Sequence, residues 1–388
     1  MKNKIIQTNI LYAVIFFSFI AILGLFADYN LYRYKFYGES ARNYSVGENN
    51  GTIQSEYMVN FPFKIQLIDC NGMMRNIIGQ HEMNNITKLN NGYLTQVAPA
   101  LSNGCIHENA EEIIKFNNYC QSHDIAFLYL NPPYKISKYD PQLPVGVTDG
   151  HNETVDKLLK ELTDAGVNVM DLRQCMHEDG INQYDYFYHT DHHWTTEGAF
   201  YAYQKISRWI SLKTETDLDV SLLDIDNYHV DTYKKWHLGS WGQRTGASFS
   251  GIDDFDLIYP KFDTIIFNRK TSATYSLKDA LVNIEVFNNR NIYSNHVYDE
   301  SYFLREINEL TCLNAPSQLS VLVIGDSMTF ALNPYMLATY KNYHRVQTYT
   351  TTTLKTSDIA KYHPDVVIVL RWPGYFDSDR VHFQFIDQ

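Results

Sequence analysis

A serine, a histidine and an aspartate that could together support nucleophilic catalysis stand in two segments of this sequence. Ser327 follows the β-branched run at residues 321–324, and Gly325 permits a tight turn after that run. Ligands of open parallel sheets bind at the carboxyl ends of the strands, where Ser327 would lie. A short helix starting there would add a backbone N–H that stabilises an oxyanion. The alternative is a serine that only caps the helix.

A base for this serine is offered by the segment 186–195, which contains three histidines and an aspartate. In an extended chain, residues two apart face the same way, so Asp191 and His193 share a side and His192 faces away. Asp191 could then accept a hydrogen bond from one ring nitrogen of His193, and the other nitrogen could take the proton of Ser327. Residues 195–196 can cap a following helix and hold the base in place.

Two other interpretations of this segment stay open. His189, Asp191, His192 and His193 could bind zinc, although their spacing fits no common zinc pattern and no cysteine lies near. The segment could also be a polar loop with incidental histidines. We expect no metal at this site.

The elements that would position these residues alternate between helix and strand, which predicts a parallel sheet. Apolar runs predict strands at 125–130, 167–170, 321–324 and 364–370, with a weaker one at 346–349. Amphipathic patterns predict helices at 111–121 and 154–165. The stretch 211–315 is less periodic, and we expect it to be a partly β excursion from the same sheet.

The N-terminus predicts a membrane anchor. Residues 10–27 carry no charge, and Lys2 and Lys4 precede them, so a single-pass helix would leave the rest of the chain outside the cytoplasm. A cleaved signal peptide is the alternative, but Leu25 stands where cleavage after Ala27 needs a small residue. A buried core helix is a third possibility.

We therefore expect a cytoplasmic tip and anchor over 1–28, a stalk over 29–84 and one α/β domain over 85–388.

Composition excludes several classes of protein. The net charge is 32 − 44 = −12, which argues against a nucleic-acid partner because such binding needs clustered basic residues. A hydrophobic share of 45% indicates a folded protein. Five cysteines do not make a disulfide scaffold, although one or two disulfides are possible outside the cell.

The motif Asp191-His192-His193-Trp194 is the one that names the DHHW family, and the chain resembles that family. It is similar to the SGNH-hydrolase-like alginate O-acetyltransferases of the AlgJ and AlgX type. In those proteins an Asp-x-His element precedes a Gly-Asp-Ser element. The order of Asp191 and His193 before Ser327 matches that arrangement, which is permuted relative to ordinary SGNH esterases.

Other segments agree with this resemblance from about residue 85 to the end of the chain. They are Asn91-Gly92-Tyr93-Leu94, Pro132-Pro133-Tyr134-Lys135, the Gly-rich loop at 239–246 and the strand at 364–370. Within them the resemblance offers Lys135 and Arg244 as substrate or oxyanion contacts.

The sequence departs from ordinary SGNH esterases at one point. Those enzymes carry an oxyanion-hole asparagine after a strand like 364–370, whereas Arg371-Trp372-Pro373-Gly374 follows here. The second oxyanion donor is therefore open, with Arg371 and Tyr335 as candidates.

The resemblance implies an SGNH-hydrolase-like, flavodoxin-like parallel sheet with helices on both faces and a permuted motif order. The uncharged run near the N-terminus adds the expected transmembrane helix to this fold. It also implies O-acetyl transfer to a secreted or cell-surface polysaccharide, without a cofactor. The expected acetyl donor is a membrane-bound O-acyltransferase in the same membrane. The alternatives are a polysaccharide acetylesterase and a non-catalytic polysaccharide-binding or assembly subunit.

Overall fold

The structure is a computed structural model, and it describes residues 13–18, 20–22, 24–25, 63–302, 307–348, 352–375 and 383–386. The chain divides into two compact units, Met1–Asn71 and Gly72–Gln388. The described part of the expected anchor is helical, and the rest of residues 10–27 lies outside the described residues. Likewise, the expected stalk over 29–84 lies outside them up to residue 62.

No helix among the described residues has both the length and the apolar character needed to cross a membrane.

The strands follow one another in chain order as β1 (Glu82–Met83), β2 (Ile86–Lys88), β3 (Leu94–Thr95), β4 (Ala126–Asn131), β5 (Val169–Asp171), β6 (Tyr228–His237), β7 (Asp253–Pro260), β8 (Ile266–Asn268), β9 (Ala273–Tyr275), β10 (Leu310–Cys312), β11 (Ser317–Gly325), β12 (Tyr340–Gln347), β13 (Thr352–Lys355), β14 (Val366–Leu370) and β15 (Phe383–Ile386). The helices are α1 (Lys64–Ile77), α2 (Asn103–Ser122), α3 (His151–Asp164), α4 (Leu172–Glu178), α5 (Thr196–Thr214), α6 (Ser240–Thr245), α7 (Ala247–Ser250), α8 (Leu277–Leu281), α9 (Val297–Glu300), α10 (Asn333–Thr339) and α11 (Thr356–Ala360).

The central sheet is parallel and has the strand order β12-β11-β14-β4-β5. Counted from β11, this is the order 2-1-3-4-5 of flavodoxin-like sheets. The strand that leads to Ser327 is thus the first of the pattern, although β4 and β5 precede it in the chain. The expected α/β fold with a parallel sheet is confirmed.

Each face of the sheet supports its own hydrophobic core. Along β11, Val321 and Val323 enter one core, while Leu322 and Ile324 enter the other, as the two-residue period of a strand requires. Helices α2 and α3 cover the second face, and α5 and α10 lie on the first. Because both faces of the sheet are buried, its strands appear in the sequence as continuous apolar runs.

The edge strand β12 begins six residues before the weak run at 346–349 that predicted it. Its buried residues include Tyr343, His344 and Arg345 as well as apolar ones. The expected bounds were therefore wrong, because a search for apolar runs misses a strand that buries polar side chains.

The stretch 211–315 carries two antiparallel elements. Strands β6 and β7 form a long hairpin in which His237 pairs with Asp253. Strands β10, β8 and β9 form a small sheet in that order. The far end of the β6–β7 hairpin contributes to the site described below.

All five cysteines fall within the described residues and carry free thiols. Cys105 and Cys120 are buried on α2, and burial raises the pKa of Cys120 to about 12. A thiol of this kind is unreactive because it stays protonated.

Candidate active site

Ser327 lies where β11 ends, beside the end of its parallel neighbour β14. The strand order reverses between these two strands, and open α/β sheets bind ligands in the crevice at such a switch point. Gly325 has no room for a side chain, since a Cβ there would lie 2.8 Å from the Leu370 carbonyl oxygen. The chain then turns into a 3-10 helix, Ser327–Leu332, with the Ser327 side chain only partly buried.

Asp326, the residue before the serine, fastens the turn. Its Oδ1 accepts from Met328 N at 3.0 Å, and its Oδ2 accepts from Trp372 N at 2.6 Å. The carboxylate thus ties the serine turn to the segment that follows β14. Burial raises the pKa of Asp326, although the two backbone N–H groups and the Arg371 charge oppose that effect.

Asp191, His193 and Ser327 form one hydrogen-bonded chain. His193 Nδ1 lies 3.0 Å from Asp191 Oδ1, and His193 Nε2 lies 2.7 Å from Ser327 Oγ. Asp191 and His193 are buried. The structure therefore brings together the three residues expected from the sequence, in the geometry that lets a serine hydroxyl donate its proton to an imidazole.

The Gly-rich segment at 239–246, which forms helix α6 and was expected to be a loop, contacts the Asp191 carboxylate. Ser240 N donates to Asp191 Oδ2 at 3.1 Å, and His192 N donates to Oδ1 at 2.5 Å. Gly239 is required at this point, because a Cβ there would lie 2.2 Å from Asp191 Cβ and 2.4 Å from its Oδ2. The start of α6 therefore packs directly against the carboxylate that orients the base.

The β6–β7 hairpin supports the same segment with two residues that sequence analysis missed. Asp253 accepts from Thr190 N at 2.8 Å and from His189 N at 2.9 Å. His237 Nε2 lies 3.3 Å from Asp191 Oδ2 without forming a hydrogen bond to it. Both residues come from the less periodic stretch, where no motif or spacing points to them.

Aromatic contacts hold the imidazole of His193. The Tyr298 ring stacks on it with centroids 3.9 Å apart and planes inclined by 18°. Trp194 Nε1 and Tyr298 Oη both donate to the Met328 carbonyl, at 3.0 and 3.3 Å. Thr195 caps α5 by accepting from a backbone N–H, so the base sits at the rigid start of that helix.

The protonation states suit a general base. Burial, the largest influence, lowers the pKa of His193, and the charge of His192 lowers it further while Asp191 opposes both. Burial disfavours the charge of Asp191, but His193 and His192 hold the pKa of that carboxyl well below its usual range. His193 is therefore neutral near pH 7 and can accept a proton, while Asp191 is ionised.

His192 does not face away from the site, so that expectation was wrong. Its ring centroid lies 3.8 Å from that of His193, and its Nδ1 lies 2.9 Å from Asp191 Oδ1 and 3.1 Å from Ser240 Oγ. Residues 189–193 form a series of bends. The alternation of side chains in an extended strand therefore does not apply to them.

Within the described residues, Asp191, His192 and His193 are the group whose donor atoms lie close enough to hold a metal ion, all within 4.8 Å of one another. His189, the fourth member of the expected zinc alternative, lies on Asp253 instead, with its Nδ1 3.0 Å from Oδ1. A metal bound through His193 Nδ1 would take the atom that bonds Asp191. A metal site and the hydrogen-bonded chain to Ser327 therefore exclude each other.

Lys135 is fully buried beneath the DHHW segment. Its Nζ donates to the Tyr188 carbonyl. The ammonium group lies 5.2–5.5 Å from the ring centres of Phe187, Tyr93 and Trp241. Packing of this kind supports a structural role for Lys135 and not contact with substrate.

Arg244 is exposed and is bound to a turn near the start of the second unit. Its Nη2 donates to the Asn84 carbonyl at 2.7 Å, and Asn84 Nδ2 donates back to the Arg244 carbonyl at 2.6 Å. These bonds do not support a role in substrate binding.

The two expected oxyanion donors have partners of their own. The Tyr335 hydroxyl is buried and donates to the Thr196 carbonyl at 3.0 Å. Arg371 is buried as well, and its Nη1 donates to Thr348 Oγ1 at 3.1 Å. Neither contact supports an oxyanion role.

Part of the chain matches a known family. Residues 93–222, which are 130 of the 388 residues, match the family model of the SGNH hydrolase-like domain of acetyltransferase AlgX. The matched region contains Asp191 and His193, and the resemblance expected from the sequence motifs is confirmed. No curated protein matches the sequence.

Solved structures share the fold. PatB1 of Bacillus cereus has a TM-score of 0.59 and 17% identity, over 76% of this chain and 99% of that chain. PatB1 with a sulfonyl adduct gives the same TM-score and identity, over 79% of this chain and 99% of that chain. A DHHW family protein from Eubacterium siraeum has a TM-score of 0.53 and 14% identity, over 76% of this chain and 93% of that chain. At such identities the similarity establishes a shared fold, and function has to be argued from the site.

Proposed function

We propose that this protein is an O-acetyltransferase that moves an acetyl group, through an acyl-enzyme on Ser327, onto hydroxyls of a polysaccharide. One observation carries the proposal: His193 Nε2 lies 2.7 Å from Ser327 Oγ while its Nδ1 lies 3.0 Å from Asp191. The match to an acetyltransferase domain over residues 93–222 supports transfer.

The first half of the reaction loads the enzyme. Ser327 Oγ attacks the carbonyl carbon of an acetyl donor, and its proton passes to His193 Nε2. Asp191 stabilises the imidazolium that forms. The intermediate collapses as the bond to the donor breaks, and His193 gives its proton to the leaving group.

The second half repeats these steps with a sugar. His193 takes the proton of an acceptor hydroxyl, whose oxygen attacks the acetyl carbonyl. The bond from the acetyl carbon to Ser327 Oγ then breaks, and His193 returns the proton to Oγ. If water replaced the sugar, the same residues would make the protein an acetylesterase. If Ser327 were inert, the fold would serve as a polysaccharide-binding or assembly subunit.

We further propose that the catalytic unit is outside the cytoplasm and that the chain is a single-pass membrane protein. The uncharged run at residues 10–27 after Lys2 and Lys4 supports this orientation. Acetyl groups would then have to cross the membrane before they reach Ser327. A membrane-bound O-acyltransferase is the partner proposed to supply them.

Mass spectrometry of the acylated protein tests the chemical proposal. An activated acetyl ester should add about 42 Da to the peptide that carries Ser327, which is the mass of one acetyl group. Ser327→Ala should lose this adduct and keep the fold. Ser320 lies on β11, the strand that leads to Ser327, and its hydroxyl donates to the Tyr362 carbonyl. Ser320→Ala is therefore the matched control and should keep the adduct.

Discharge of the adduct separates the alternatives. An oligosaccharide acceptor should release the acetyl group faster than water does and should become acetylated itself. Release that no sugar accelerates would favour the esterase. Absence of any adduct on Ser327 would favour the binding subunit.

Topology is tested separately. Protease added to intact spheroplasts should digest residues 63–388, and N-terminal sequencing of the mature protein should start at or near Met1. A mature chain that starts near Asp28 would contradict the anchor, and full protection from protease would contradict the orientation.

A further inference from the structure

The residue two positions beyond β14 lies in the same crevice as the serine. Gly325 pairs with Leu370 in adjacent parallel strands, and Ser327 and Trp372 each follow two residues later. The bond from Trp372 N to Asp326 Oδ2, at 2.6 Å, holds the two segments together. Trp372 therefore leaves the sheet at the switch point, where a ligand of this fold is expected.

The Trp372 side chain is fixed close to the hydrogen-bonded chain of Asp191, His193 and Ser327. Its ring centroid lies 4.7 Å from that of His192, whose own ring is 3.8 Å from His193. Gly374 lies against the indole, because a Cβ there would come within 2.2–2.4 Å of three ring carbons. A ring held in this way has little freedom to change its orientation.

The indole N–H of Trp372 is buried and has no acceptor within the described residues. An indole nitrogen can only donate a hydrogen bond, and a buried donor without a partner is unfavourable unless a ligand supplies an acceptor. The backbone N–H of Met328 differs, because it donates to Asp326 Oδ1. Trp372 Nε1 is thus an unused donor on a residue whose backbone N–H is bonded to Asp326, the neighbour of Ser327.

We propose that Trp372 Nε1–H is the second oxyanion donor and acts together with the backbone N–H of Ser327. When Ser327 Oγ bonds to the acyl carbon, the electron pair of the C=O bond moves onto oxygen, and the two N–H groups donate to it. The pair returns when the bond to the leaving group breaks, and the leaving group takes the proton held on His193. The inference rests on the proposed role of Ser327 as nucleophile.

A comparison of oxygen and sulfur esters tests this role. A thiocarbonyl sulfur accepts hydrogen bonds poorly, so an oxyanion donor favours p-nitrophenyl acetate over its thiono analogue. Trp372→Phe should lower kcat for the oxygen ester by about 10²-fold, the usual effect of losing one such donor, and should lower the thiono rate much less. KM should change little, because the bond strengthens only in the transition state.

Trp236→Phe is the matched control. Trp236 also has a buried indole N–H without a partner, but it lies on β6, against Phe287 and Tyr233. Its replacement should leave both rates unchanged. Equal losses on the two esters in Trp372→Phe would mean a merely structural role and would overturn the proposal.

A spectroscopic measurement on the full wild-type chain tests the same role without any substitution, so the folding of a variant does not affect it. In ¹⁵N-labelled protein, a phosphonate bonded to Ser327 places an anionic oxygen in the proposed hole. The indole N–H resonance of Trp372 should then move downfield, and that of Trp236 should stay. A phosphonate adduct without this shift would overturn the Trp372 role alone, whereas failure to form the adduct on Ser327 would overturn both this role and the proposed function.

Discussion

Replacement of Lys135 by methionine removes the buried cation beneath the DHHW segment. Burial is the largest influence on this amine and lowers its pKa to about 7, against 10.5 for an ordinary lysine, although Asp253 and Asp191 oppose the effect. The amine donates to the Tyr188 carbonyl whether or not it is charged. The change should therefore alter how the stability of the protein depends on pH.

The sign follows from proton counting. Above about pH 7 the folded protein has released the Lys135 proton while the unfolded chain still holds it, so the free energy of unfolding rises with pH. The slope approaches about 1.36 kcal/mol per pH unit. Between about pH 6 and about pH 9 the rise sums to roughly 2.7 kcal/mol, and it is absent at lower pH where both states are charged.

Denaturant unfolding of wild type and Lys135→Met at these two pH values measures the effect. The free energy of unfolding of wild type minus that of the variant should increase by about 2–3 kcal/mol from the lower to the higher pH. Lys138→Met, which removes an exposed lysine, is the control and should show no such change. A difference for Lys135→Met that is the same at both pH values would refute the assignment of a buried, easily deprotonated amine.

Three further predictions concern the hydrogen-bonded chain of Asp191, His193 and Ser327. His193→Ala should lower acetyl-ester turnover by about 10³-fold or more, as loss of a triad base does. His192→Ala removes only one partner of Asp191 and should lower turnover about tenfold. Equal losses in two folded variants would contradict the assignment of His193 as the base, and a stoichiometric zinc ion lost from both variants would support the metal site instead. A plot of kcat/KM against pH should fall on the acidic side with a midpoint below the ordinary histidine value of 6.5, because burial lowers the pKa of His193; a midpoint above that value would mean that its charged form is favoured. Gly239→Ala should abolish turnover by displacing Asp191, whose Cβ lies 2.2 Å from the new methyl position, and circular dichroism should show the fold retained; full activity would show that the carboxylate has room to move.

The sequence predicts those parts of the fold that depend on residues close together in the chain. The strands β4 and β14 are buried on both faces, so they appear as apolar runs, and Gly325 marks the turn before Ser327. The Asp-x-His spacing likewise reflects a contact between near neighbours in the chain.

The parts that the sequence did not predict depend on contacts between distant residues. His237 and Asp253 reach the DHHW segment from a hairpin with no motif of its own. His192 turns toward Asp191 because the segment bends, and side-chain alternation cannot anticipate a bend. The Tyr335 hydroxyl donates to the Thr196 carbonyl on another helix, and the sequence gives no sign of this bond. Tyr335 therefore seemed available as an oxyanion donor.

Transfer of acetyl groups from Ser327 to a polysaccharide can be measured in cells, through the O-acetyl content of the surface polysaccharides of the host. The comparison is between cells with the wild-type chain and cells in which the same gene carries Ser327→Ala, with the amounts of both proteins matched by immunoblot. If Ser327 carries the acetyl group to the acceptor, the acetyl esters of one polysaccharide should be lost in Ser327→Ala. An unchanged acetyl content would rule out acetyl transfer by Ser327, and a higher content would show that Ser327 removes acetyl groups instead.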